Sequence, residues 1–130
     1  MQDRRVVITG LGALTPLGNN VKEFWNNAIE GKSGAKPITR FDAELFKTKF
    51  ACEIDGFNPE ECLTRNEIKR SDQFTQYALY ASNEAMLDAG LDMEKLDPFD
   101  VGVIWGTGQG GMVTFEEEWR NFVENDNIPR

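Results

Sequence analysis

Residues 100–125 read DVGVIWGTGQGGMVTFEEEWRNFVEN, an apolar run and an amphipathic run joined by a glycine-rich turn. The continuous apolarity of the first run predicts a strand buried on both faces. In the second run, the apolar residues recur at helical spacing, which predicts a helix from Met112 to about Glu124. A strand, a tight turn and a helix in this order are typical of an α/β protein.

The glycines of the turn spell G-x-G-x-x-G at Gly106, Gly108 and Gly111. A dinucleotide-binding turn needs a second strand after the helix, with an acidic residue at its end. Here the helix is followed by NDNIPR, so the context does not favour a dinucleotide site. Two interpretations stay open, and they are compatible. The glycines permit positive φ or a close backbone approach, or the loop lines a substrate pocket.

The rest of the chain continues the α/β pattern, with two further strand candidates and three further helix signals. Asn20 and Thr64 are N-cap candidates, each followed three positions later by a glutamate, as in a capping box. A small-residue stripe predicts a helix that packs closely on a neighbour. These elements are strands at Arg5–Thr9 and 49–54, helices from Val21 and from Thr64, and a helix from about Asp72 to Ala89. Since a sheet of this kind needs further strands, we expect an incomplete α/β domain.

Composition excludes several function classes. The 130 residues carry 22 acidic and 14 basic side chains, a net charge of −8 that argues against a general nucleic-acid binder. The chain has no histidine, the commonest general base and metal ligand. No run is long enough to span a membrane, and no cleavable signal precedes the two cysteines. We therefore expect a reduced, cytoplasmic protein that binds neither membrane nor nucleic acid.

Four linked segments carry a resemblance to a known family. They are VVITGLGALTPLGNNV (6–21), GKSGAKPITRFDAELFKTKFACEI (31–54), TRNEIKRSDQFTQYAL (64–79) and VGVIWGTGQGG (101–111). Together they resemble the N-terminal part of a β-ketoacyl-acyl-carrier-protein synthase, and FDAELFKTKFA (41–51) favours the type II enzyme. The resemblance covers essentially the whole chain, in order.

The resemblance implies a thiolase-like fold of two similar α/β halves, assembled as a homodimer, of which residues 1–130 form an incomplete first half. It implies an acyltransferase of fatty-acid synthesis that performs a decarboxylative Claisen condensation with malonyl-acyl carrier protein, without a cofactor or metal. In the family, the nucleophilic cysteine and two histidines would lie beyond Arg130. The chain alone is therefore predicted to be inactive. The alternatives are an inert partner of the chain-length-factor type and, less favoured, a dinucleotide-binding domain.

The resemblance also implies binding residues. The family docks its acidic carrier protein on basic residues that match Arg65, Lys69 and Arg70, and on a basic residue near Arg130. The alternative is a solvated helix face with Glu61 and Glu67 as local ion-pair partners.

Gln109, with Gly108 and Gly110 on either side, falls where the family borders its acyl pocket beside the dimer interface. An apolar residue is frequent at that position, so glutamine is a polar departure. Cys52 and Cys62 do not match the family's nucleophile. We expect both to be structural, as small apolar residues.

Overall fold

The computed structural model describes residues 4–125, in which four α-helices and one short hairpin are separated by loops. The helices are α1 (Val21–Ile29), α2 (Arg65–Arg70), α3 (Gln73–Asp88) and α4 (Met112–Glu124). The strands are β1 (Lys36–Pro37) and β2 (Phe50–Ala51), and short 3₁₀ turns occupy Pro59–Glu61 and Pro98–Asp100.

Local signals set the helix boundaries. The side chain of Asn20 accepts a hydrogen bond from the Glu23 N–H at 2.9 Å, and Thr64 forms a full capping box with Glu67. The predicted start of α1 and the predicted bounds of α3 and α4 are confirmed to within one residue.

Local residues also set the C-terminal ends of α1 and α3. Gly31 and Gly90 adopt positive φ angles of 69° and 62°. In each case the glycine and the residue after it donate backbone N–H groups back to the last helical turn, which is a Schellman motif.

The chain divides into two compact units that each contain part of α3. The first unit holds residues 4–58 and 81–92, and the second holds residues 59–80 and 93–125. Ala81, at the start of the second half of α3, is the one buried side chain among residues 4–125.

In the first unit, the small-residue stripe of α3 packs against the segment Gly10–Ala13. A β-carbon placed on Gly12 would lie 1.9 Å from the carbonyl oxygen of Ala81, and one on Gly10 would lie 2.2 Å from that of Ala85. Only glycine fits at such distances, so the predicted close packing of this stripe is confirmed. These two glycines serve helix packing rather than a phosphate.

Two carboxylates of α3 accept hydrogen bonds from backbone N–H groups of the same segment. Glu84 accepts the N–H of Ala13 at 2.8 Å through one oxygen and the N–H of Val21 at 2.9 Å through the other. Asp88, one turn later, accepts the N–H of Leu11 at 2.9 Å. Because Val21 opens α1, Glu84 also satisfies one of the donors that the start of a helix leaves unpaired.

Few of the predicted strands form within residues 4–125. Arg5–Thr9 and residues 101–105 form no ladder within the described residues, and Asp100 belongs to a 3₁₀ turn. Their side chains are exposed, with Val6 at 90% and Ile104 at 98%. Of the candidate at residues 49–54, only Phe50–Ala51 pairs, antiparallel to Lys36–Pro37, which lies outside the strand candidates. A strand exists only through a hydrogen-bonded neighbour, which these sequences do not provide to one another.

Candidate functional site

The candidate site lies in the second unit, where α2, the start of α3, the glycine loop 106–111 and the start of α4 come together. A cleft of ≈ 800 Å³ opens here. Its walls carry cations from α2, aromatic rings from α3 and α4, and carboxylates from α4. The residues that give it this character are Lys69, Arg70, Phe74, Phe115, Glu117 and Glu118.

Helix α2 presents the predicted basic residues to solvent. Arg65, Lys69 and Arg70 are all exposed. The Arg65 guanidinium lies 3.7 Å from the Glu60 carboxylate, a contact that is too exposed to fix it firmly. Lys69 and Arg70 both line the cleft. Arg130, the fourth predicted docking residue, lies outside the described residues.

The acidic residues proposed as partners of these cations have other contacts. Both the N–H and the hydroxyl of Thr64 donate to Glu67, at 2.8 and 2.7 Å. Glu61 accepts a hydrogen bond from the Tyr80 hydroxyl at 3.1 Å. Neither carboxylate is therefore committed to Lys69 or Arg70, and the cations are available to an outside partner.

Asp72, on the connection from α2 to α3, holds the start of α4 from a distance of 42 residues in sequence. One of its carboxylate oxygens accepts both the hydroxyl of Thr114, at 2.7 Å, and its N–H, at 2.9 Å. The hydroxyl bond and then the N–H bond lower the pKa of the Asp72 carboxyl below its ordinary value. The sequence reasoning missed this pair, although an aspartate just before a helix is an N-cap signal.

The structure requires glycine at two of the four glycine positions in the loop. Gly111 has φ 71° at the N-cap of α4, a left-handed conformation that favours glycine. A β-carbon on Gly110 would lie 3.0 Å from the Thr107 methyl and 3.1 Å from the Phe74 ring, a close approach. A β-carbon on Gly106 or Gly108 would meet open space. The expected need for glycine is therefore specific to positions 110 and 111.

Gln109 is exposed at the tip of this loop and does not line the ≈ 800 Å³ cleft, whereas Gly111 does. After Gly111, residues 112–125 contain one helix and no strand. The unit that a dinucleotide fingerprint requires is therefore absent from this part of the chain.

The surroundings of Cys62 do not favour a nucleophile. Desolvation raises the pKa of the Cys62 thiol, and the neighbouring carboxylates of Glu61 and Glu67 raise it further. Cys62 is thus a thiol at neutral pH, whereas nucleophilic attack requires the thiolate. Cys52 is free but exposed, so the expectation that it is a buried apolar residue is wrong.

Metal-binding clusters and membrane-spanning helices also bear on function. Within residues 4–125, no cluster of three or more His, Cys, Asp or Glu side chains could hold a metal ion. None of the helices in the described part of the chain is both long and apolar enough to cross a membrane.

Comparison with known proteins gives one consistent answer. The family described as "Beta-ketoacyl synthase, N-terminal domain" matches residues 3–128. The protein named 3-oxoacyl-[acyl-carrier-protein] synthase 2 of Staphylococcus aureus (strain COL) is 48% identical over 115 residues, 88% of this chain and 28% of that protein. The protein of the same name from Coxiella burnetii is 44% identical over 92% of this chain and 29% of its own length.

A solved structure, "The ishigamide ketosynthase/chain length factor", superposes with a TM-score of 0.77 at 32% identity. The match covers 95% of this chain and 31% of that one. The chain thus spans under a third of the length of each of these three relatives.

Proposed function

This chain belongs to the β-ketoacyl synthase N-terminal domain family, and we propose that it is part of an acyltransferase that elongates acyl chains in fatty-acid synthesis. The observation that carries the proposal is the 48% identity, over 88% of the chain, to a protein named 3-oxoacyl-[acyl-carrier-protein] synthase 2. In the reaction, a cysteine thiolate attacks an acyl-carrier thioester and releases the carrier thiol. Malonyl-carrier protein then loses CO₂, and its α-carbon attacks the acyl-enzyme and frees the cysteine.

We further propose that residues 1–130 form the N-terminal part of a thiolase-like ketosynthase domain and contain no catalytic residue of their own. The absence of histidine and the raised pKa of Cys62 both support this. So does the finding that the apolar runs Arg5–Thr9 and 101–105 are exposed and pair with no strand within residues 4–125. In the complete protein these runs would become strands of a mixed sheet, and the nucleophile and two histidines would follow Arg130.

The partner in this proposal is acyl carrier protein, an acidic molecule. Lys69 and Arg70 support a docking role because both are exposed on the cleft and the adjacent Glu67 is committed to Thr64. Arg65 would add to the same surface, with Arg130 as the fourth proposed contact. Complementary charge of this kind mainly raises the association rate and fixes orientation.

Gln109, flanked by Gly108 and Gly110, is proposed as one wall of the acyl pocket in the assembled protein, beside a second subunit of a cytoplasmic homodimer. The loop leaves Gln109 exposed, so its amide is available to a partner surface. A long acyl chain that displaced water from this amide would leave it unpaired, at a cost of about 1–3 kcal/mol. Gln109→Ala should therefore raise kcat/KM for long chains relative to short ones, and an unchanged ratio would remove Gln109 from the pocket.

A second candidate is an inert ketosynthase-like partner of the chain-length-factor type, because the superposed structure is a ketosynthase/chain length factor. The nucleophile separates the two candidates. The complete protein is mixed with acyl-acyl carrier protein, and its intact mass is measured. A mass increase equal to one acyl group supports the condensing enzyme. An unchanged mass supports the inert partner.

A further inference from the structure

Asp72 contacts the beginnings of two helices at once. One carboxylate oxygen accepts the N–H of Phe74, in the first turn of α3, at 3.3 Å. The other accepts the N–H and the hydroxyl of Thr114, in the first turn of α4. A single side chain thus satisfies unpaired donors at both helix starts.

Helix α4 depends on this distant carboxylate because its own N-cap is Gly111, which makes no side-chain cap hydrogen bond. Glycine is needed at that position for its left-handed φ, so the local sequence cannot also supply a capping oxygen. Asp72 supplies it instead and adds a negative charge at a helix N-terminus, where such a charge is favourable.

A second contact joins the same two segments. The ring of Phe74 lies so close to Gly110 that a β-carbon there would be 3.1 Å from the ring. Phe74 is also the residue whose N–H Asp72 accepts. The start of α4 is therefore held against the start of α3 by a charged contact to Thr114, and Gly110 is held there by an apolar contact to Phe74.

We infer that Asp72 is a positioning residue, which fixes the glycine loop and Gln109 relative to the basic end of α2. This inference rests on the proposed function. Arg70 ends α2 two residues before Asp72, and Gln109 lies five residues before Thr114, so Asp72 links the segment of the proposed carrier-docking surface to the segment of the proposed pocket wall.

The test uses Asp72→Ser in the complete protein. Serine is a good N-cap and preserves the start of α3, but its hydroxyl is one bond closer to the backbone and does not reach Thr114. Thr114→Ser is the matched control, because it keeps both donors to Asp72. Hydrogen exchange of loop 106–111 is measured together with kcat/KM for a short and a long acyl chain and the Kd for acyl carrier protein.

Asp72→Ser is expected to speed exchange of the loop about tenfold and to change the long-to-short ratio of kcat/KM, because a lost hydrogen bond to a charged group has at least that effect. The control should match the wild type, and the Kd should stay within about twofold, since the α2 cations are untouched. A merely structural role would lower kcat/KM for both chain lengths equally.

Unchanged exchange would overturn the inference, and so would faster exchange with an unchanged ratio. If the wild-type protein condenses neither substrate, the proposed function fails, and the exchange comparison alone decides whether Asp72 holds the loop.

Discussion

Gly12 lies directly against Ala81, so close that a β-carbon on Gly12 would be 1.9 Å from the carbonyl oxygen of Ala81. This contact is made to backbone rather than to a flexible side chain, so the neighbour cannot give way. The glycine at this position is therefore explained by packing on α3 and not by a bound phosphate.

Gly12→Ala is expected to destabilise the first unit by about 1–3 kcal/mol or more, the usual cost of overpacking. Gly106→Ala is the matched control, because a β-carbon there meets nothing within 4 Å and the residue lies outside the proposed strand at 101–105. Urea unfolding of both variants measures the difference. Equal stability of the two variants would contradict the packing seen between Gly12 and α3.

Glu84→Ala removes the acceptor of two backbone N–H groups, those of Ala13 and Val21. Each donor left unsatisfied costs about 1–3 kcal/mol, so we expect a clear loss in the free energy of unfolding. Glu44→Ala, at an exposed glutamate of the same unit, serves as the control and should change stability by less than about 0.5 kcal/mol. Similar losses in both variants would show that Glu84 does not anchor the segment.

Sequence alone predicted the helices well because their boundaries depend on residues three or four positions apart. Asn20, Thr64, Gly31 and Gly90 each act within one turn, and Asn20 and Thr64 cap their helices as predicted. The strands were not predictable in the same way. Whether Arg5–Thr9 is a strand depends on a distant partner, and the described residues provide none.

The candidate site shows the same difference between local features, which sequence predicts, and contacts between distant residues, which it does not. The basic residues of α2 and the glycine loop are visible as local patterns. The bond from Asp72 to Thr114 joins residues 42 apart, and neither residue stands out in sequence as one of a pair. Pairing of this kind depends on packing and was found only in the structure.

The hydrogen bonds to Asp72 predict a pH dependence. The pKa of Asp72 is lowered from 3.8 in the folded protein, so its contribution to stability is fully present above that value and is lost as pH falls through the lower, folded-state pKa. Thr114→Val removes the hydroxyl donor. The difference in unfolding free energy between wild type and variant should be constant from pH 7 to about 5 and shrink below about pH 4.

Other charged groups line the same cleft, namely Lys69, Arg70, Glu117 and Glu118. These residues are the same in wild type and Thr114→Val, so the comparison of the two proteins isolates the contact between Asp72 and Thr114. A difference that keeps its full size down to about pH 2 would contradict the charged hydrogen bond.

Charge reversal tests the docking surface. Lys69→Glu with Arg70→Glu should weaken binding of acyl carrier protein, with an effect that shrinks as salt rises, because exposed charges are screened over about 10 Å at 0.1 M. The control is Lys22→Glu with Lys47→Glu, which makes the same change in net charge at exposed residues elsewhere. Association rates are measured at low and high salt. Equal effects of the two double variants would contradict the docking surface and favour the alternative, in which α2 presents a solvated helix face.

The most direct test of the proposed function is condensation by the complete protein. Purified protein is supplied with acyl- and malonyl-acyl carrier protein, and the 3-oxoacyl product and released CO₂ are measured, with residues 1–130 alone as the parallel sample. We predict one CO₂ for each 3-oxoacyl product from the complete protein and no product from residues 1–130. Product formed by residues 1–130 alone, or none formed by the complete protein, would contradict the proposed function.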